Sequence, residues 1–419
     1  MKYLIPSSLL LLMSSLSLCA DEVAQTQSQS SSQPSGPYGT RDRDGVRDRD
    51  PCCPAPKPCC PPRPDCIPPK CAQIMGGPKG EILPNAGPCI ACGADLYFTA
   101  DFIYWTVREE HLGYALTLGN QTAATASAPA HGKISQLDFK MKPGFKVGVG
   151  MLFDHDGWDV FAEYTWIRAR NITGSVTNTP GTTYIIDTLL WEVTGAETTV
   201  TTAGVGGITS VSGAWQLHYF NVIDLELGRN FYVSRYLMLR PHFGFKGTWQ
   251  KQFFDVTVNG LANGTTAGSF TTGNSITSTM KQEQFYWGFG IRAGLDAAFH
   301  FSRSFSTFGE IAVAGLYGQF EENRLGREFN NSTGAFIAVP PFSPVSITDN
   351  FHTIKPVMEW QVGLRWEMYT CDWDFHFAFE AAWEEQYWLG QNQFINYLTE
   401  TRGGDLSFQG LTLKFRFDF

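Results

Sequence analysis

Apolar and polar positions alternate along this chain with a period of two. The pattern is clearest over residues 138–153. There Phe139, Met141, Pro143, Phe145, Val147, Val149, Met151 and Phe153 share one side, and Asp138, Lys140, Lys142, Gly144, Lys146, Gly148 and Gly150 the other. A helix brings residues three and four apart onto one face, so this period predicts a β-strand. Ten segments carry it: 94–104, 138–153, 158–166, 215–227, 237–249, 285–301, 305–317, 354–368, 375–383 and 411–419. The phase of 305–317 is ambiguous.

The connections sort themselves. Gaps after the second, fourth, sixth and eighth strands are short, as in Asp154–Gly157 and Ser302–Ser304. Gaps after odd strands are long and rich in Thr, Asn and Gly, most clearly 171–213, 251–283 and 321–352. Short turns on one side and long loops on the other predict an all-β fold, a transmembrane antiparallel β-barrel of about 10–12 strands with both termini in the periplasm.

Alternation alone does not say which face meets lipid, since a lipocalin-like soluble barrel would turn its apolar face inward. Three features favour apolar-outward. Strand 138–153 spans ~50 Å at about 3.3 Å per residue, longer than a small soluble barrel needs. Trp158, Trp166, Trp215, Trp249, Trp287 and Trp383 fall toward strand ends, as in an interfacial girdle. Glycines such as Gly144, Gly148, Gly288, Gly290, Gly294 and Gly363 lie on the polar face, where a narrow interior is crowded.

The polar face then lines the lumen. Its candidate pore-lining residues are Lys140, Lys142, Lys146, Asp224, Glu226, Arg240, His242, Lys246, Arg292, Asp296, Glu359 and Arg365. With acids facing bases, any ion preference should be mild, and pairing across a closed lumen is a live alternative because ten strands leave little room. The lumen-phase histidines His218, His242, His300 and His376 scatter in depth with no Ser at a matching level, so catalysis is not expected. His300 and His376 should pair with neighbouring carboxylates.

Composition narrows the class. Charged residues make up 17 % of the chain, aromatics 14 %, and the net charge is −9, which argues against a nucleic-acid partner. No apolar run of eighteen residues follows the N-terminus, so helical spans are absent while a barrel stays open. Residues 1–20 read as a signal peptide, with Lys2, an apolar stretch from Leu9 to Leu18, and Ala20 before Asp21; Leu18 is too large for a good lipidation site at Cys19. Residues 21–93 are Ser/Gln-rich, then an Arg-Asp repeat, then a Pro/Cys tract, and should be a disordered periplasmic segment ahead of a 94–419 barrel.

The cysteines are Cys52, Cys53, Cys59, Cys60, Cys66, Cys71, Cys89, Cys92 and, far along the chain, Cys371 in a short turn. In an oxidising compartment disulfides are the default. Cys89 and Cys92 have a zinc-like spacing but no second ligand pair, so neither a metal nor another cofactor is expected. With Cys19 removed, nine remain, so at least one is free or bonded to another chain. Cross-linking between chains and a locally paired tract stay as alternatives.

Two runs carry a family resemblance. Gly87-Pro-Cys-Ile-Ala-Cys92 followed by Ala94-Asp-Leu-Tyr-Phe-Thr-Ala-Asp-Phe-Ile-Tyr-Trp105 resembles the start of the barrel in chlamydial-type major outer membrane proteins. Lys142-Pro-Gly-Phe-Lys-Val-Gly-Val-Gly150 and Leu239-Arg-Pro-His-Phe-Gly244 are similar to Legionella-type pore-forming outer-membrane proteins. The terminal Phe419 resembles the signal by which bacterial outer-membrane barrels are recognised. The resemblance implies a porin in the outer membrane of a Gram-negative-type bacterium, passing small solutes or ions passively. Its partners would be outer-membrane lipid, the barrel-assembly machinery, and a disulfide-linked homo-oligomer or other envelope proteins that add rigidity. A plugged structural or adhesive barrel, or a barrel-embedded hydrolase, are the alternatives.

Overall fold

Ten long strands form a closed barrel in the computed structural model, which describes residues 83–84, 96–119, 132–153, 158–177, 183–187, 208–234, 236–261, 275–302, 304–331, 335–336, 344–369, 375–395 and 403–419. The barrel strands are β1 (Leu96–Glu109), β2 (Met141–Leu152), β3 (Trp158–Thr177), β4 (Ile208–Arg229), β5 (Leu237–Leu261), β6 (Ser275–His300), β7 (Phe305–Asn330), β8 (Val345–Tyr369), β9 (His376–Asn392) and β10 (Gly404–Asp418). Each pairs antiparallel with its sequence neighbour, and β10 returns to β1 in the register Thr99 opposite Arg416. The Phe419 N–H donates to the Leu96 carbonyl at 3.1 Å beside this seam. Residues 1–20, read above as a signal peptide, and all the cysteines, Cys371 included, lie outside the described residues. Within 21–93, Leu83–Pro84 pairs with Phe231–Tyr232.

Short turns close the end at which β1 begins and β10 finishes. Phe153 N–H bonds the Trp158 carbonyl at 2.8 Å, and Leu237 N–H bonds Ser234 Oγ at 3.1 Å. Phe305 N–H is likewise held by Ser302 Oγ at 2.9 Å, so serine hydroxyls replace the ladder partner where the chain reverses.

The outward face is apolar around this half. Ile291 and Ile354 are 70 % and 69 % exposed, which is favourable only if their solvent is hydrocarbon. Strand β7 resolves to Ile311, Val313 and Tyr317 outward, with Phe308, Ala312 and Leu316 inward. Among the described residues no helix is long and apolar enough to cross a membrane, so crossing falls to the strands.

Strands β5 to β8 run 25 or 26 residues, whereas spanning a bilayer takes about 9–11. The surplus projects beyond the apolar belt, and there the polarity of the two faces exchanges. On β5 the outward residues change from Phe243, Phe245 and Trp249 to Lys251, Asp255, Thr257 and Asn259. The inward ones change from His242 and Lys246 to Phe254, Val256 and Val258. The barrel thus has a lipid-embedded storey with a polar interior and a loop-end storey with an apolar interior. Much of 171–213, 251–283 and 321–352, expected as loop, is strand. The expectation used an apolar outer face as its template, and that face is polar once the strand leaves the lipid.

A bulge in β4 sets a second difference. Lys251 pairs with Tyr219 but Gln252 with Leu217, so His218 is the extra residue. Its Nδ1 lies 3.1 Å from Arg168, and its ring meets Phe253 edge-on, outside the lumen. The phase shift also turns Trp215 inward, fully buried, where its indole N–H donates to Gln252 Oε1 at 3.1 Å. Trp215 therefore leaves the girdle. Trp249, Trp287 and Trp383 do face outward.

At the loop end, Ala115–Gly119 pairs with Gly132–Ser135 and Thr183–Asp187 in a three-stranded sheet. The same loop sends Leu112, Tyr114 and Leu137 into the apolar interior. Tyr114 rests where Gly174 and Gly213 present no side chain; a Cβ on either would come within 2.8 Å of the tyrosine.

Candidate functional site in the barrel lumen

Inward positions on β4, β5, β6 and β8 face one another in register and place the charges together. Lys246 pairs across the ladder with Asp224, and Arg240 with Asp296. The Lys246 ammonium lies 2.8 Å from Asp224 and 2.7 Å from Glu359. Arg240 reaches Asp159 at 2.9 Å, Glu226 at 3.1 Å and Asp296 at 2.8 Å. Arg292 donates to Glu226, to Glu310 at 3.0 Å and to Glu359 at 3.0 Å. His242 sits between Asp296 (3.3 Å) and Glu226 (3.5 Å).

A second group continues the network around the wall. Lys146 binds Glu384 at 2.7 Å, with Glu163 at 3.5 Å. Toward the turns Arg365 binds Glu380 at 2.6 Å, and Asp418 takes both Arg416 and His376 at 2.6 Å. Lys146, Arg240, Lys246 and Arg292 are each shared by acids from other strands, so the network ties the barrel wall across its interior.

Of the twelve candidate lining residues, Lys146, Asp224, Glu226, Arg240, His242, Lys246, Arg292, Asp296, Glu359 and Arg365 meet in this network. Lys140 does not: it precedes β2, is exposed, and pairs locally with Asp138 at 3.4 Å. Lys142 is also displaced, its ammonium donating to the Arg170 carbonyl at 2.8 Å at the exposed strand end. Both lie above the level at which the interior turns apolar. His376 has its carboxylate, whereas His300 packs against the Tyr232 ring, and its Nε2 makes no hydrogen bond among the described residues. Glu310, Glu380 and Glu384 belong to the network and were not anticipated. Their signal was the same two-residue phase on β7 and β9.

Between the groups lies a cavity of about 170 Å³. Tyr97, Asp101, Glu163, Glu310, Lys414 and Arg416 are among its walls, and carboxylates outnumber Lys and Arg around it. Glu226, His242 and Glu310 bring ligand atoms within 4.8 Å of one another. Arg292 already binds both carboxylates there, so a guanidinium supplies the positive charge that a metal would bring.

The loop-end storey has the opposite chemistry. Trp105, Trp388, Phe220, Phe254, Phe394 and Phe408 pack in one cluster with Leu and Val side chains from around the barrel. Phe220 is 4.4 Å from Phe408 and 5.2 Å from Trp388, centroid to centroid, so rings from β4, β9 and β10 meet in the lumen. Lysines cap this layer from below: Lys146 lies 5.2 Å from the Trp105 ring.

The family follows from a sequence comparison. A profile described as the Legionella pneumophila major outer membrane protein precursor matches residues 88–419, and the chain belongs to that family. No curated protein matches the chain. Solved structures give fold-level likeness to outer-membrane barrels. The outer membrane protease OmpT of Escherichia coli is 13 % identical, with 77 % of this chain and 96 % of that one covered and a TM-score of 0.33. The toluene transporter TodX of Pseudomonas putida is 7 % identical, covering 78 % and 91 %, with a TM-score of 0.25. The monoaromatic hydrocarbon channel CymD is 9 % identical, covering 83 % and 96 %, also with a TM-score of 0.25. The protein is thus an outer-membrane barrel of the major outer membrane protein family.

Proposed function

We propose that the protein is an outer-membrane pore that rests closed. The carrying observation is the order of its interior: a charged, cavity-containing layer inside the lipid belt, directly beneath an apolar layer of interlocked rings. The charged layer can hold water and small ions. The apolar layer excludes them until its rings part, which is how a hydrophobic constriction gates. The freely open passive pore that the resemblance implies is thereby narrowed to a gated one, because the lumen side chains fill the space that the strand count encloses. No catalytic role is assigned; the lumen histidines pair with acids or stack on rings.

A permanently shut barrel, structural or adhesive, is the second reading. The close packing of the rings in that layer favours it. Disulfides through the N-terminal cysteines and Cys371 would fit either reading by tying barrels into a mechanically continuous envelope. Non-reducing gels of thiol-blocked membranes test that part, and monomers alone would remove it.

Planar-bilayer recordings of the purified folded protein test the pore. Brief openings from a long-lived closed state are expected. Silence after verified insertion would leave the shut barrel, and steady conductance would contradict a closed resting state.

A further inference from the structure

The apolar storey is not apolar all the way round. On β5, β6 and β7 the inward residues Gln250, Gln252, Tyr286, Gln284, Gln282 and Glu322 form one continuous polar wall. Gln250 stands opposite Tyr286, and Gln252 opposite Gln284, which in turn faces Glu322 on the next strand. All six are buried. Among the described residues, both amide atoms of Gln250, Nε2 of Gln252, Oη of Tyr286, Oε1 of Gln282 and Oε1 of Glu322 make no hydrogen bond. Native interiors satisfy nearly all such atoms. A run of unsatisfied donors and acceptors on one wall therefore calls for a hydrogen-bonding occupant.

The chain lays a segment of its own across this wall. After Gly390, whose φ of +62° turns the backbone sharply, the last two residues of β9 and the three that follow, Gln391–Ile395, are buried, and the regular ladder to β10 is interrupted between Trp388 and Asn392. Its partners stand on strands that do not pair with β9. Gln284 donates to the Gln391 carbonyl at 2.9 Å and accepts from the Gln393 N–H at 2.8 Å. Arg324 on β7 donates to the Ile395 carbonyl at 3.0 Å. The Phe394 ring lies 5.8 Å from Phe254 on β5. On its other side Asn392 donates to the Glu110 carbonyl at 2.6 Å, so the segment is fastened toward β5, β6 and β7 in one direction and to the end of β1 in the other. Its Gln391 side chain also carries two unpartnered polar atoms.

We propose that the wall Gln250–Tyr286–Gln252–Gln284–Glu322 is the track by which small uncharged hydrogen-bonding solutes pass the loop-end storey, and that Gln391–Ile395 is the segment that blocks it. This rests on the pore reading above. Amide and phenol groups both donate and accept, which suits neutral polyols and amides. The surrounding rings offer nothing to a bare ion, which pays heavily to leave water. Only the segment needs to move, because the wall itself stands on the rigid ladder of β5 to β7.

Proteoliposome swelling in isosmotic glycerol and urea, beside bilayer recordings of the same preparations, tests this. In one variant residues 391–395 are replaced by a Gly/Ser run. In a second, Gln252→Leu and Gln284→Leu are added to that replacement. A third, Arg324→Met with Asn392→Ala, frees the segment without removing it or touching the wall, in case the first does not fold. Heat-modifiable migration on gels reports folding. The first and third variants should swell roughly thirty- to hundredfold faster than wild type, the shift that losing two or three ordinary hydrogen bonds gives. The second should lose most of that gain. If wild type opens in bilayers but the freed segment changes nothing, the blocking role is overturned and the pore reading stands. If the second variant swells as fast as the first, the wall is not the track. Silence from every folded variant overturns the pore reading, and this inference with it.

Discussion

The ammonium of Lys246 lies 2.7 Å from a Glu359 oxygen and 5.9 Å from the centre of the Trp388 ring. One side chain thus touches both storeys: acids below it, and above it the floor of the apolar layer. It is fully buried, with its charge met by Asp224 and Glu359. Lys246→Met leaves those two carboxylates facing each other, a loss expected to cost about 3–5 kcal/mol. Lys246→Arg should recover part of it. The temperature at which the heat-modifiable band converts is the readout, and an unchanged temperature for Lys246→Met would show that the pair network does not hold the barrel.

Glu109 lies in the loop-end storey, beyond the lipid belt, with neither carboxylate oxygen hydrogen-bonded among the described residues. Burial pushes its carboxyl well above the ordinary carboxylate range, as it does that of Glu322. A raised pKa means that the folded protein holds a proton that the unfolded chain releases. Stability should therefore fall as pH rises above the ordinary glutamate range, and go on falling until the folded group ionises. Glu109→Gln should flatten that slope and be the more stable form at neutral pH. Unfolding followed at a series of pH values checks this, and parallel slopes for the two proteins would refute it.

Gly150 makes room for Tyr97, whose hydroxyl donates to Asp159 at 3.2 Å and whose ring lies 3.8 Å beneath the Arg416 guanidinium. A Cβ at 150 would run into the Tyr97 ring. Gly150→Ala should cost about 1–3 kcal/mol through overpacking. Tyr97→Leu in the same chain should relieve part of the loss, and a double variant no better than the sum of its parts would count against the steric explanation.

Carboxylates outnumber basic side chains around the lower cavity, so the open state should prefer cations. Reversal potentials in a salt gradient measure it directly. The preference should weaken with Glu163→Gln, whose carboxylate lines the cavity between Lys146 and Lys414. An anion-selective open state would mean that the path avoids this cavity.

The lipid-embedded half was legible because its solvent writes the pattern: Phe243, Phe245 and Trp249 must face hydrocarbon, and the residues between them must not. The ten strands, their pairing order and ten of the twelve lining residues follow from that rule. The loop-end half carries the same period with its polarity exchanged. Lys251, Asp255 and Asn259 against Phe254, Val256 and Val258 look like loop to a reader expecting lipid outside. A single bulge at His218 was enough to move Trp215 from the belt to the interior. Nothing local in Gln391-Asn-Gln-Phe-Ile395 shows that it folds inward; its partners Gln284 and Arg324 are distant in sequence, and only closure of the barrel brings them within reach.

Closure by the ring layer is tested most directly by the rate at which proteoliposomes swell in isosmotic glycerol, wild type beside Trp388→Ala. Trp388 is fully buried at the meeting point of β4, β9 and β10, and its removal opens a hole in the layer at a cost of about 3–5 kcal/mol. Slow swelling of the wild type, sharply accelerated in folded Trp388→Ala, is the expected result. Fast swelling of the wild type that Trp388→Ala leaves unchanged would contradict a lumen shut by its own aromatic side chains.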